Sequence, residues 1–408
     1  MRVLMLTDLY PPFIGGIEQH VRNLSQGLRD RGHDVAVVTM SGPDSPAVED
    51  DEGIEVHRIR GTAQRLESVT SPQGRPHSPP FPDPGVVRAL GPVLARHRPD
   101  IVHAHNWMVR SYLPLKGRND VPLVMTLHDY GIICAKRSLW LHGRACSGPA
   151  FRKCLRCAAA NYGTARGTVI ALGNWAMQPM QRSRVEMFLP VSNAVAVGND
   201  LVGHDLPYEV LPNFVPDDVA QRSDPHDPAL AALPREPFWL YVGALSRHKG
   251  VHVLIEAYRG LSNAPPLVMI GPAWHDTPID LPPNTTVIPS LSHAGVMAAW
   301  GRAALGIVPS VFPDPCPTVA MEAMSCGLAL VGSQTGGLPD LIADGETGLL
   351  VEAGNPVALR AALARLMADP SAIDRMGRAA LSKVASFTAS AVVDRLEGIY
   401  SEVLAARA

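Results

Sequence analysis

The chain has 408 residues, 46% of them apolar and 18% charged, with a formal net charge of -2. That balance excludes a disordered chain, no apolar run nears the eighteen residues or so of a membrane-spanning helix, and nothing in it points to nucleic acid. One hydrophobic core rarely serves a chain this long, so two domains of similar size facing a cleft are expected.

The N-terminus MRVLMLTDLY carries a short apolar run broken by Asp8 and lacks a small-residue cleavage site. It reads as a first strand and not a signal peptide, which places the chain in the cytoplasm. After the loop DLYPPFIGG comes IEQHVRNLSQGLRDRG, where Ile17, Val21, Leu24 and Leu28 share one helical face and Gly32 stops the helix. VAVVT follows as a buried strand, so residues 2–39 read as strand, glycine-bearing turn, helix and parallel strand. Further strands are expected at IEVHRI, DIVHAH, LVMTLHD and MFLPVS. The stretch SPQGRPHSPPFPDPG, 71–85, holds no regular ladder, because proline removes donors and fixes φ. It reads as a mobile surface loop or an extended linker inside the first domain. From Tyr130 to Val185 there is no Asp or Glu, while nine Lys and Arg lie between Lys136 and Arg184. Such a face suits an anionic or lipid-linked acceptor, or the anionic inner face of a membrane; the alternative is a solvated arginine-rich surface.

Near VLPNFVPDD, 210–218, proline and acidic residues replace the apolar rhythm and mark a domain boundary. PFWLYVGAL, the loop SRHKG, the helix VHVLIEAYRGL and the strand PLVMIG then repeat the opening order, followed by strands at TTVIPS, ALGIVPS, LALVGS and TGLLVEA. The fold class is therefore α/β, with two Rossmann-like doubly wound domains at 1–212 and 213–388 and a terminal helix within 389–408.

The stretch VFPDPCPTVAMEAMSCG, 311–327, sets Asp314 and Glu322 on either side of a turn that opens a helix. Thr318 is expected to cap a helix over 319–324, whose unpaired amides and dipole suit a phosphate while the carboxylates accept hydroxyl hydrogen bonds. The alternative makes Asp314 a turn residue and Glu322 a solvated helix position.

The stretch resembles the donor signature of the retaining GT-B glycosyltransferases of family four, in which two glutamates lie seven residues apart. Glu322 matches the glutamate that holds the ribose hydroxyls, and Asp314 stands at the one that contacts the transferred sugar. Pro317 replaces a common glycine, so the amides of Cys316, Thr318 and Val319 remain for donor oxygens. GGIEQHVRNLSQGLRDRGHDVAVVT is similar to the opening glycine loop and helix of the family, with Gly15 and Gly16 admitting the donor diphosphate. VGALSRHKG resembles the diphosphate loop; Lys249 matches its lysine, Ala244 stands where an arginine is usual, and Arg247 lies nearby. GGLPDLIADGETGLLV is similar to the segment after the carboxylates. The resemblance implies an acceptor-binding first domain, a donor-binding second domain and a helix at 389–405 crossing back to the first.

The same resemblance implies transfer without a catalytic metal, the leaving diphosphate being stabilised by Lys249, Arg247 and main-chain amides. His128, which with Asp129 ends a strand, matches the active-site histidine of the family. His103 and His105 are rim or core candidates, with His105, Asn106, Trp107 and Asp129 as acceptor contacts. Cys134, Cys146, Cys154 and Cys157 include a CxxC pair that in a cytosolic chain favours a structural zinc or free thiols over disulfides. The expected activity is hexose transfer from a nucleoside diphosphate sugar, with UDP as the carrier, to a hydroxyl of an unknown acceptor. A non-catalytic sugar-nucleotide-binding protein and an epimerase of the same architecture are the alternatives.

Overall fold

The computed structural model describes residues 1–13, 15–42, 45–65 and 76–407. The chain divides into two compact units, one of Met1–Leu141, Cys146–Pro212 and Val392–Ala408, the other of His142–Ala145 and Asn213–Ala391.

The strands in chain order are β1 (Arg2–Leu6), β2 (Asp34–Met40), β3 (Val48–Asp51), β4 (Ile54–Ile59), β5 (Ile101–His105), β6 (Leu123–Leu127), the short β7 (Trp140–Leu141) and β8 (Arg144–Ala145), and β9 (Met187–Pro190). They continue as β10 (Trp239–Val242), β11 (Leu267–Ile270), β12 (Thr285–Ile288), β13 (Leu305–Val308), β14 (Leu330–Ser333) and β15 (Gly348–Val351). In the first unit seven strands run β3-β4-β2-β1-β5-β6-β9, parallel except for the β3 edge. In the second, six parallel strands run β12-β11-β10-β13-β14-β15. Both orders turn back beside the first strand of the unit, and in such sheets loops at the carboxyl ends of the strands on either side of that switch hold ligands.

The apolar runs account for the layers. β1, β5 and β6 are buried almost throughout because helices cover both faces of a parallel sheet. The helix Gly16–Asp30 places Val21, Leu24 and Leu28 inward, each worth about 1.5–3 kcal/mol of burial, and ends one residue before Arg31, with Gly32 at φ 85°.

Within the stretch 71–85, residues 76–85 depart from the surface-loop reading and keep the irregular course of a linker inside the first unit. Residues 71–75 lie outside the described residues, but Ser78 and Asp83 are buried, and Asp83 accepts from the amides of Gly85 and Val86 to cap the helix Pro84–His97. The amides of Thr62 and Ala63 also donate to Asp83. Pro80 O accepts from the fully buried Arg110 at 3.1 Å. Proline forbids a ladder here, yet a carboxylate and a guanidinium supply the hydrogen bonds that a ladder would have given.

Candidate active site

In the second unit, three loops are locked together by backbone contacts. His248 O accepts from the amides of Val311 and Phe312 at 3.1 and 3.0 Å. Gly250, at φ 79°, lies so close to Pro309 O that a Cβ would stand 1.8 Å from it. Gly336, at φ 58°, and Gly337 fit beneath the turn at 313–316, and Gly337 N donates to Asp314 O at 2.8 Å. Glycine is needed at these contacts because any side chain would separate the loops. The result brings Lys249 Nζ into an ion pair with Asp314 Oδ2, both side chains partly buried.

Beyond Asp314 the helix runs Thr318–Ser325. Pro317 occupies the cap position and no side chain caps the helix, so the expected cap by Thr318 is corrected: Thr318 is the first helical residue. Proline cannot cap with a side chain, and the first amides of the helix are left for another acceptor. Cys316 is buried, with its carbonyl accepting from Asn213 Nδ2 at 3.0 Å. Glu322 is only 8% exposed, which removes the reading of a solvated helix position. Its Oε1 lies 3.1 Å from His293 Nε2, and that hydrogen bond holds the histidine above its ordinary pKa. His293 went unread in the sequence, since nothing near SHAGV signals a partner 29 residues away. Arg247 is exposed and its charge acts on His252; Ala244 O accepts from Tyr241 Oη at 2.7 Å.

In the first unit, a cluster of imidazoles sits at the carboxyl ends of β5 and β6. His105 Nδ1 lies 2.9 Å from His128 Nε2, with the rings stacked, and His20 from the opening helix meets His128 edge to face at 4.7 Å between centroids. His103 is tied to Tyr400 Oη at 2.6 Å and Thr126 Oγ1 at 2.7 Å. Burial pushes His103 down to about 3 and holds His20 and His105 well below the ordinary value, so these three rings are neutral near pH 7. Gly15 precedes the opening helix in extended conformation, and a Cβ on Gly16 would meet nothing within 4 Å.

Two acceptor assignments change. His105 is fully buried and touches His128, so it supports that ring and offers no atom to an acceptor. Trp107 is 7% exposed, donates Nε1–H to Gly131 O at 3.0 Å and is flanked by the guanidinium groups of Arg110 and Arg137. Asn106 is half-buried at φ 62°. Asp129 accepts from Gly131 N at 2.8 Å and lies 3.4 Å from Arg137, while burial raises its pKa. Arg137 also approaches Asp8, a buried carboxyl pushed up to about 6 by desolvation. Arg137 therefore leaves the expected basic face and serves the interior.

Cys134, Cys146, Cys154 and Cys157 are free thiols that line one small cavity, the last two on the helix Phe151–Tyr162. Among the described residues, the groups of three ligand atoms mutually within 4.8 Å are His20, His105 and His128, and Glu55, His57 and His97; the thiols are not among them.

Comparison with known proteins decides the family. Residues 15–194 match the glycosyl transferase 4-like domain, and residues 224–383 match glycosyl transferases group 1. The chain belongs to the GT-B glycosyltransferases of family four. It is 29% identical to a glycogen synthase of Mycobacterium tuberculosis over 95% of this chain and 91% of that one. A GDP-mannose-dependent alpha-mannosyltransferase of Mycolicibacterium smegmatis is 27% identical over 100% and 99%. Sucrose-phosphate synthase from Thermosynechococcus elongatus superposes with a TM-score of 0.73 at 20% identity, covering 100% of both chains. HepE of Anabaena, solved with UDP, gives 0.68 at 17% identity, covering 98% of this chain and 100% of its own. This GT-B member is thus a glycosyltransferase enzyme, and among the described residues no helix is long and apolar enough to cross a membrane.

Proposed function

We propose that this glycosyltransferase moves a hexose from a nucleoside diphosphate sugar, with UDP as carrier, to a hydroxyl of a polysaccharide, lipid-linked or small-molecule acceptor, with retention and without a catalytic metal. The observation that carries the reading is Lys249 paired with Asp314 beside the uncapped start of the helix that bears the buried Glu322. The donor diphosphate takes Lys249 from Asp314 and meets the amides of Thr318 and Val319, which frees the Asp314 carboxylate for sugar hydroxyls. Glu322 holds the ribose. As the glycosidic bond breaks, charge grows on the leaving diphosphate, and fixed dipoles and an ammonium stabilise it. In retention the β-phosphate oxygen takes the acceptor proton, so no side-chain base is called for. Gly15, Gly16 and His128 act on the donor as the family resemblance implies, and Arg247 supplies the charge that Ala244 lacks.

UDP is favoured by the HepE complexes, whereas the mannosyltransferase relative names GDP-mannose. A thermal-shift series of nucleoside diphosphates and their sugar conjugates separates these carriers, because a ligand selective for the folded state raises its apparent stability. Donor binding without hydrolysis or transfer to any acceptor would instead support a non-catalytic binder.

For the acceptor, the proposal is a lipid-linked molecule met at an anionic membrane surface from the cytoplasmic side. Val169, Leu172 and Trp175 are exposed on the helix Thr164–Arg184, beside Phe151 and the exposed Arg152, Arg156 and Arg166. Sedimentation with anionic but not neutral vesicles is expected, and equal binding to both contradicts it. Structural zinc at the four cysteines belongs to the same proposal; a thiolate-to-cobalt charge-transfer band on cobalt loading tests it.

A further inference from the structure

Outside every residue discussed for donor or acceptor, three ligand atoms of the first unit converge on one point. Glu55 and His57 alternate with Val56 on β4 and therefore share a face of the sheet. His97 is the last residue of the helix Pro84–His97. His57 Nε2 lies 2.8 Å from His97 Nε2 and 3.1 Å from Glu55 Oε1, and His97 Nε2 lies 3.9 Å from the same oxygen.

Hydrogen bonding does not satisfy this arrangement. Each imidazole Nε2 has one in-plane site, which holds either a proton or a lone pair. When the two rings share a proton, Glu55 Oε1 is left over; it is shielded from solvent and makes no hydrogen bond. Arg96 Nη2 lies 3.1 Å from Oε1 as an ion-pair partner but donates its hydrogen bond to Oε2. Leaving a shielded carboxylate oxygen without a hydrogen bond is unfavourable. Two nitrogens and one oxygen at bonds of about 2.0–2.1 Å around a tetrahedral ion stand about 3.3 Å apart, and the three separations bracket that value.

We propose that Glu55, His57 and His97 form a binding site for a divalent transition ion of the zinc class, with a fourth position for water, clasping the end of the helix Pro84–His97 to β4. Imidazole with carboxylate suits zinc, copper or nickel over magnesium or calcium. The ion is structural, since none of its ligands belongs to the donor or acceptor groups. It is also separable from the cysteines, because its ligands hold no sulfur.

The test is titration of the metal-free full chain with cobalt(II), followed by zinc displacement, in wild type, His97→Gln and Glu55→Gln. The expected result is one cobalt equivalent, beyond any that binds with thiolate charge transfer, marked by weak visible d–d bands, displaced by zinc, and lost in both variants while any thiolate band remains. Zinc is expected to raise the melting temperature of wild type more than that of either variant. Since His97 and Glu55 are only half-buried, both variants should keep the wild-type circular dichroism. Cobalt bound solely with thiolate character, or equal binding by wild type and both folded variants, or no binding at all, overturns the proposal.

Discussion

The two units treat polar groups at the carboxyl ends of their strands in opposite ways. In the second, charge faces charge: Lys249 with Asp314 on loops held by backbone contacts through glycine, and His293 with Glu322 on two helices. In the first, His20, His103 and His105 are buried and neutral, and an ion network of Asp8, Arg137 and Asp129 lies against Trp107. Paired charges in a partly exposed loop can be exchanged for those of an incoming anion at little cost, because the surroundings still solvate them. Buried neutral rings cannot accept a charge without the desolvation penalty, so they supply shape and orientation. The second unit is thus built to swap partners and the first to stay as it is.

The largest effects should separate the two regions by kind. Lys249→Ala and Glu322→Ala should each lower turnover by about 10²–10³-fold, the scale of losing one preorganised charge or donor at a developing anion, with melting temperatures near wild type. Steady-state kinetics beside thermal melts checks this; a large loss of stability in either variant would blur the contrast. Arg110→Ala should do the reverse. Arg110 is fully buried, is lowered to about 9 by desolvation, and bonds to Pro80 O, Gly131 O, Asn174 and Gln181. Removing it takes a buried donor from four acceptors, of which Gly131 O keeps Trp107, and should cost about 3 kcal/mol or more in urea unfolding.

Acidification gives a smaller and graded effect. A histidine whose folded pKa lies below its unfolded value binds fewer protons when native, so its contribution is complete above about pH 6.5 and is lost as pH falls. For His103 the loss should continue down to about pH 3. Unfolding followed from pH 7 to 5 should show falling stability, with a shallower slope in His103→Gln and His105→Gln. An unchanged slope would mean that these rings are not neutral in the folded state. His293 has the opposite sign: its folded pKa is raised, so its contribution is present below about pH 6.5 and fades as pH rises through the raised value. Its side chain is 57% exposed, so solvent screens the pair and His293→Ala should change stability by only about 0.3 kcal/mol.

Much of this was legible in the chain, and what was not has physical reasons. The strands could be read because a parallel sheet covered on both faces demands continuous apolar runs, as in RVLML and LVMTL. Asp314, Glu322 and Lys249 were singled out because the short stretches around them resemble the donor signature and diphosphate loop of the family; spacing alone left Asp314 and Glu322 open to a plain structural reading. Arg110, Asp8, Tyr400 and His293 could not, because each meets its partner across 21 to 297 residues and carries no local signature. Trp107 and His105 were read as acceptor contacts because they end a strand, and sequence does not say which side of the end a ring turns to. The burial of 76–85 was not legible, because prolines advertise the missing ladder but not the carboxylate and guanidinium that replace it.

The central claim is that a glycosyl diphosphate is held by the Lys249 ammonium and main-chain amides, with Glu322 on its ribose. It is tested most directly by hexose transfer from UDP-hexose in wild type, Lys249→Ala and Glu322→Ala, each with and without EDTA. Wild type should turn over at a rate that EDTA leaves intact, and both variants should lose nearly all of it; wild-type rates in the variants, or activity abolished by EDTA and restored by manganese, would rule this mode of donor binding out.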